Sequence, residues 1–542
     1  MIRATRTRLL SAAAAVIAVA VVVPVVAALS SRAEAPSFKE QACSLPPAWL
    51  ERTLEGYSPD RSGQIQLLPR TPAYFSSGAG GWSHSGPWPY LQDVPIVFYG
   101  PGLIPARGAI ERPVTMADIA PTLARLMGGS FATPDGKPLP EVATVEGSLR
   151  PADRPKLIVT VVYDGGGWNV LNQWPGDWPV LKMMMEEGTA FTDATVGSSP
   201  SVTPSVHTTL GTGVFPARHG ITDIPVFVED GAVVDAFLGG ESSRLMKVPA
   251  LAERWDEANA NRANIGMVGY EPWHLGMIGQ GAEKPGGDKD DAVWLDIDTN
   301  EWISDSDSYT LPDAVASAPG LEADVAALDA ADGERDGAWG EHAILEDPAR
   351  LEETPAFIAY HTRAMLDLIE AEGYGDDSIT DLMFTNYKQI DRVGHYFNMA
   401  SDEVRDSLAA TDEQVGVIID TLNREVGRGE WAMVLTADHG QQPDAGAVNG
   451  YGIDPLEVVE DIDDRFGPIT KQVRPTQVFL YPDALEEQEV EVDEVARFLS
   501  DYRLADSTIR PDTRLGGAGA FGPQDRIFDL AVPSKVLPTI RC

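Results

Sequence analysis

The chain has 542 residues, two cysteines, and 82 acidic against 41 basic side chains, for a net charge of −41 at pH 7. That field argues against nucleic acid as a held partner and for solubility. It would equally repel a small anionic substrate, so any such substrate needs positive charge concentrated locally, as bound metal ions supply.

Arg3, Arg6 and Arg8 precede an apolar run from Leu9 to about Leu29, and Ala33-Glu34-Ala35 is a small-residue cleavage site, so residues 1–35 read as a secretory signal peptide. The run is nearly long enough to span a bilayer, which leaves membrane attachment by a retained segment as the other reading. Roughly 500 residues follow, a size that α/β enzymes reach as one domain plus an insertion.

The β-branched run Leu157–Tyr163 stops at Asp164-Gly165-Gly166-Gly167, predicting a buried strand that ends in a turn. After a helical pattern over 179–187, Thr203-Pro204 opens another, with Thr203 as N-cap and Pro204 in the first helical position. A hydroxyl there faces the positive end of a helix dipole, placed to become an alkoxide and to receive a phosphate-like group. A helix is predicted over 243–258, and residues from about 273 to 347, rich in Asp, Gly and Ala, read as an inserted cap. Within it the acidic run from Asp329 to Gly337 lacks EF-hand spacing and reads as a solvated loop. A helix over 354–372 precedes a strand over 382–387, which runs into Asp391-Arg392-Val393-Gly394-His395. On one helical turn, i and i+4 place Asp391 and His395 on a common face. A helix over 401–426 leads to the strand Trp431–Ala437, which stops at Asp438-His439-Gly440, and a last helix covers 492–504. This alternation predicts a three-layer α/β/α sandwich around a mostly parallel sheet, with ligands at the carboxyl ends of its strands.

Each motif alone has a plain explanation: an aspartate after a strand forms turns, D-x-x-x-H is commonly a solvated face, and a histidine such as His439 can simply be buried and satisfied. Together, Asp164, Asp438-His439 and Asp391 with His395 form an oxygen and nitrogen set that suits zinc or a similar divalent ion.

In order and interval these motifs resemble the alkaline phosphatase superfamily, closest to its nucleotide pyrophosphatase/phosphodiesterase and monomeric phosphatase branches. The resemblance is carried by Asp164, by Thr203 with His207 and Thr212-Gly213, by Pro216-Ala217-Arg218-His219-Gly220-Ile221, by Asp391 to His395, and by Asp438-His439-Gly440. The family's last histidine ligand has no counterpart after His439. His84, in a Gly/Ser-rich turn ahead of Asp93 to Gly102 and of Asp118-Ile119-Ala120-Pro121-Thr122, is similar to the segment that normally closes such enzymes. The chain therefore looks circularly permuted: 36–127 as the family's C-terminal part, 128–155 as a linker, and 156–542 as its N-terminal and central part. The new ends fall beside Cys43 and Cys542, an even pair that in an exported protein reads as a disulfide stapling the opened junction; two free thiols are the alternative.

The resemblance implies an exported phosphoric ester hydrolase that transfers a phosphoryl group to Thr203, with one metal held by Asp164, Thr203, Asp438 and His439 and another by Asp391, His395 and His84. The resemblance implies two divalent metal ions, zinc in first place, and a small phosphoric ester as the partner. The asparagine that follows H-G-I in the diesterase branch is absent, since Thr222-Asp223-Ile224 stands there; the lysine-x-arginine pair of the monoesterase branch is also absent at Val268 to Pro272. Trp168, Asn169, His274 and Lys284 are candidate substitutes. The diesterase or pyrophosphatase reading thus stands beside an alkaline phosphatase reading, with a non-catalytic secreted binding module as the alternative of another class.

Overall fold

Register is what gathers the chemistry. In the computed structural model, which describes residues 35–76, 83–142, 154–229, 231–507 and 519–542, the strand Leu157–Tyr163 lies between two parallel neighbours, Asp381–Tyr387 and Trp431–Ala437. Tyr163 pairs with both Tyr387 and Ala437, so Asp164, Lys388 and Asp438 leave the sheet side by side at one edge. All three strands are buried along their whole length, as strands covered on both faces must be.

Among the described residues the sheet has ten strands. From the central three it continues on one side through Ile265–Val268 and Asp291–Asp296, both parallel, to the antiparallel edge strand Glu301–Ile303. On the other side Asp93–Tyr99 enters antiparallel between Trp431–Ala437 and Thr189–Thr195, followed by Gly108–Ile110, with Val114–Thr115 also on Thr189–Thr195. An antiparallel strand starts where its neighbours end, so the turn bearing His84 arrives at the same edge as Asp164 and Asp438. Helices Pro179–Glu187, Ala356–Ala371 and Asp402–Leu422 pack together, as do Ile119–Leu126, Thr203–Thr212 and Leu251–Ala258, with the sheet between the two groups.

Several expectations change. Residues 291–303 of the stretch expected to be a cap are edge strands of the central sheet, because Ala292 to Leu295 is a short apolar run that buries against Ile265–Val268. The helix expected over 243–258 begins only at Leu251, where Glu253 turns back to accept the Ala250 N–H. The helix expected over 492–504 ends at Ser500. The described part of the expected linker, 128–142 and 154–155, carries no helix or strand, and 143–153 lie outside the described residues. The secretory segment expected over 1–35 lies, but for Ala35, outside them as well.

Segments on either side of the central sheet's strands in the sequence build a second, smaller lobe within the same compact unit. Its antiparallel sheet runs Thr470–Arg474, Gln477–Leu480, Ile65–Pro69, Phe528–Pro533, with a core of its own that includes Ile65, Ile462, Val495 and Leu499. Residues 36–75 therefore join 451–507 and 519–542 rather than the sheet that Asp93–Tyr99 enters. Cys43 and Cys542 are disulfide-bonded, closing a loop of 499 residues. Closing so long a loop is worth on the order of 5 kcal/mol in the chain-entropy account. Cys43→Ser should accordingly lower the denaturation midpoint of this lobe in non-reducing buffer; a calorimetric trace identical to that of the parent would contradict it.

Candidate active site

The helix Thr203–Thr212 starts beneath the edge where these strands end. Its N-cap is Val202, with extended backbone, not Thr203; Thr203 is the first helical residue and Pro204 the second. The Thr203 side chain is thereby released from capping, and its Oγ1 accepts a hydrogen bond of 3.1 Å from Lys388 Nζ. No side chain caps the helix start, so its positive end faces the region around this hydroxyl.

Around Thr203 stand two clusters. The first is fully buried: His439 Nε2 lies 3.5 Å from Asp164 Oδ1 and 3.4 Å from Asp438 Oδ2. Asp438 Oδ1 is held by the Gly165 N–H at 3.0 Å, and Asp164 Oδ2 accepts from Asn386 Nδ2 at 2.9 Å. The second opens toward solvent: Asp391 Oδ1 lies 3.6 Å from His84 Nε2 and Asp391 Oδ2 lies 3.3 Å from His395 Nε2. The i, i+4 pair does share one helical face, on Gln389–Phe397. The His84 and His439 rings stack with centroids 3.7 Å apart, linking the clusters. All seven residues named from the sequence are thus brought to one place.

These donors suit divalent ions. His439 Nδ1 donates to the Gly440 carbonyl at 3.0 Å and His84 Nδ1 to the Ser201 carbonyl at 3.1 Å, so each ring is oriented with Nε2 toward the carboxylates, where a metal ion would find a nitrogen ligand. Asp438 Oδ2 and His439 Nε2 are buried and make no hydrogen bond among the described residues, a costly state unless something else binds them. Burial raises the Asp164 carboxyl well above its usual range, and the Asp438 charge adds to this. Burial also opposes ionisation of Asp391 and Asp438, but His395 and Lys388 outweigh it at Asp391, as His439 and His207 do at Asp438, and both stay below the ordinary value. A dication against Asp164 would remove the repulsion between the Asp164 and Asp438 carboxylates.

Other histidines brace the site. His207 Nε2 lies 3.4 Å from Asp438 Oδ2, and its Nδ1 is 3.0 Å from His274 Nδ1. His219 spans Thr209 Oγ1 and the Ile221 N–H, each at 3.1 Å, and burial pushes it down to about 3, so it holds its loop as a neutral ring. Of the candidate substitutes, Asn169 is spent on the Gln441 backbone, His274 backs His207, and Lys284 pairs with Glu257. Trp168 does not line the site cavity either.

Sequence reading missed Lys388. Its Nζ donates to Asp164 Oδ1 and Thr203 Oγ1, both at 3.1 Å, and ion-pairs with Asp391 Oδ2 at 2.8 Å. Burial disfavours its ammonium, but the Asp164 and Asp391 carboxylates more than compensate and keep it charged, above the usual lysine value. Its signal was positional: it directly follows the strand end at Tyr387. The cavity over these groups has a volume of about 620 Å³ and is lined beyond them by Glu271, Trp273, Arg392, Tyr396, Leu456 and Arg474, the last two from the smaller lobe.

The sequence profile of the type I phosphodiesterase / nucleotide pyrophosphatase family matches residues 158–513, more than half of the chain. The chain belongs to this family. With it, the chain takes its place in the alkaline phosphatase superfamily. It is similar to alkaline phosphatase PafA of Elizabethkingia meningoseptica, 23% identical over 366 residues that cover 59% of this chain and 66% of that one. It is also similar to alkaline phosphatase PhoV of Synechococcus elongatus, 23% identical over 332 residues covering 53% and 59% respectively. The chain thus spans somewhat less than two thirds of these relatives' length. The crystal structure of wild-type PafA shares the fold with a TM-score of 0.52 at 19% identity, covering 67% of this chain and 81% of PafA. The matched family segment contains Asp164, Thr203, Asp391, His395, Asp438 and His439; His84 precedes it.

Proposed function

We propose that this chain is an exported, metal-dependent hydrolase of phosphoric esters that works through a phospho-threonine on Thr203, with the preference of a phosphodiesterase or nucleotide pyrophosphatase. The observation that carries the proposal is the position of Thr203 Oγ1, at a helix start between a buried Asp-Asp-His cluster and an Asp-His-His cluster. Asp164, Asp438 and His439, with Thr203, would hold one divalent ion, and Asp391, His395 and His84 the other. When bound, such ions supply the positive charge that lowers the cost of attacking and leaving oxygens, and zinc suits this donor set.

The chain's own residues do the rest. Thr203 Oγ1, its proton released to solvent, forms a bond to phosphorus as the ester bond breaks, and the electron pair of that bond leaves with the alcohol oxygen, which takes a proton from water. A second water then attacks phosphorus, Oγ1 leaves and is reprotonated, and phosphate or its monoester is released. Lys388 Nζ donates a hydrogen bond to Thr203 Oγ1, a position from which it stabilises negative charge on that oxygen. A cavity of about 620 Å³ has room for a second substituent on phosphorus, which favours a diester. The alkaline phosphatase names of PafA and PhoV favour a monoester as the second reading.

Rates on bis(4-nitrophenyl) phosphate and 4-nitrophenyl phosphate, with metal content by mass spectrometry, test this. Turnover of the diester above the monoester by protein carrying about two divalent ions per chain supports it. The reverse preference would leave the monoesterase reading, and turnover of neither by metal-loaded protein would leave a binding module. Dialysis against a chelator should abolish turnover, and added Zn²⁺ should restore it; activity that survives metal removal would contradict metal dependence.

Export and permutation belong to the same proposal. A disulfide fits an oxidising compartment. Among the described residues no helix is long and apolar enough to cross a membrane. N-terminal sequencing of the secreted form should start at Pro36; a start at Met1 would count against cleavage. The permuted order is supported by His84, which reaches the Asp391 cluster from ahead of an antiparallel strand rather than from beyond His439.

A further inference from the structure

The chain lacks both phosphoryl contacts that its relatives' motifs would supply, since Thr222-Asp223-Ile224 offers no asparagine and Val268 to Pro272 no lysine-x-arginine pair. Asp223 is instead tied to Arg474 Nη2 at 3.0 Å, and Glu271 brings a carboxylate to the cavity where a cation would be wanted. A cation is nevertheless present in the middle of the site. Lys388 is 5% exposed, sits between the strand Asp381–Tyr387 and the helix Gln389–Phe397, and reaches Thr203 Oγ1, Asp164 Oδ1 and Asp391 Oδ2 within 3.1 Å.

We propose that Lys388 is a catalytic residue of this chain: its ammonium binds a non-bridging oxygen of the phosphoryl group being transferred to Thr203, replacing the missing asparagine or lysine-arginine contact. A phosphorus bonded to Oγ1 carries its other oxygens into the space around Oγ1, which Nζ already occupies as a hydrogen-bond donor. A buried lysine is costly unless its charge is matched, and the two aspartates match it here. Where Asp164 and Asp391 also serve metal ions, the negative phosphoryl oxygens would take over the matching of this buried ammonium, which donates to them from beside Oγ1. Charge-assisted hydrogen bonds of this kind are among the strongest a protein offers an oxyanion. Burial and the contacts to Asp164 and Asp391 hold Nζ beside Oγ1 before substrate arrives, so little is lost to reorganisation.

The inference rests on Thr203 being the phosphoryl acceptor, and the experiment separates the two. Inorganic phosphate is the probe, its affinity measured by calorimetry on fully metal-loaded protein, beside kcat/KM on the better chromogenic ester. Lys388→Met, similar in length and uncharged, should keep the parent metal content yet bind phosphate more weakly by on the order of 30-fold, the loss of one charge-assisted hydrogen bond. Its kcat/KM should fall by on the order of 10²-fold or more. Lys388→Arg should recover part of the phosphate affinity. Parent-like phosphate affinity in Lys388→Met overturns the proposal. So does a weakened affinity that returns to the parent value once metal is saturating, because Lys388 would then serve only to assemble the carboxylates. Should Lys388→Met fail to fold, a crystal structure of the metal-loaded parent with phosphate decides: Nζ within hydrogen-bond distance of a phosphate oxygen supports the contact, and Nζ on protein carboxylates alone overturns it. Failure of the Thr203 reading would show elsewhere, as undiminished turnover in Thr203→Ala with Lys388 intact.

Discussion

Thr203→Ala should lower kcat/KM on either chromogenic ester by on the order of 10⁴-fold or more, because it deletes the atom that accepts the phosphoryl group. The metals should stay: Asp164, Asp438 and His439 make their close approaches without the hydroxyl. The fold should stay as well, since the Thr203 side chain caps nothing and its one described hydrogen bond is to Lys388, which keeps both aspartates. Thr203→Ser, which retains a hydroxyl at the same place, should recover a substantial part of the rate. Metal content and circular dichroism must be read beside the kinetics; activity in Thr203→Ala within tenfold of the parent, with metals bound, would remove Thr203 from its role.

His84→Ala should cost the more exposed metal. Its Nε2 is one of the three donors of the cluster formed by Asp391, His395 and His84, and the ring is already oriented for that role by the Ser201 carbonyl. Loss of a ligand costs more than loss of an outer-shell brace, for which a 10- to 100-fold drop in affinity is usual, so a decline of at least about 100-fold is expected. Metal content by mass spectrometry should fall from about two to about one per chain, with catalysis impaired in step. Unchanged metal stoichiometry would show that His84 is a bystander.

The residues that end strands were the legible part of this molecule. A buried parallel strand is a continuous apolar run, so its end is visible as the first charged residue, and Asp164 and Asp438 declare themselves in that way. Asp391 and His395 were legible through helical period. Lys388 was not, because a lysine after a strand is ordinarily solvated, and only the register of three strands reveals that this one points between two carboxylates. The smaller lobe was equally hidden: Ile65–Pro69 pairs with Phe528–Pro533, and pairings of such short strands across so much chain leave no periodic trace in either segment. The stretch expected as a cap misled through composition, since acidic loops surround the few apolar residues of Asp291–Asp296 that extend the central sheet.

The most direct test of the whole account is the position of the metals relative to His84, which lies ahead of the matched family segment, and to Thr203. Anomalous diffraction at the zinc edge from crystals grown with Zn²⁺ would give it. The account predicts two peaks, one within bonding distance of His84 Nε2, Asp391 and His395 and the other beside Asp164, Asp438, His439 and Thr203 Oγ1, with zinc to nitrogen distances of about 2.0 to 2.1 Å. A single peak, or two peaks with His84 or Thr203 bound to neither, would contradict it.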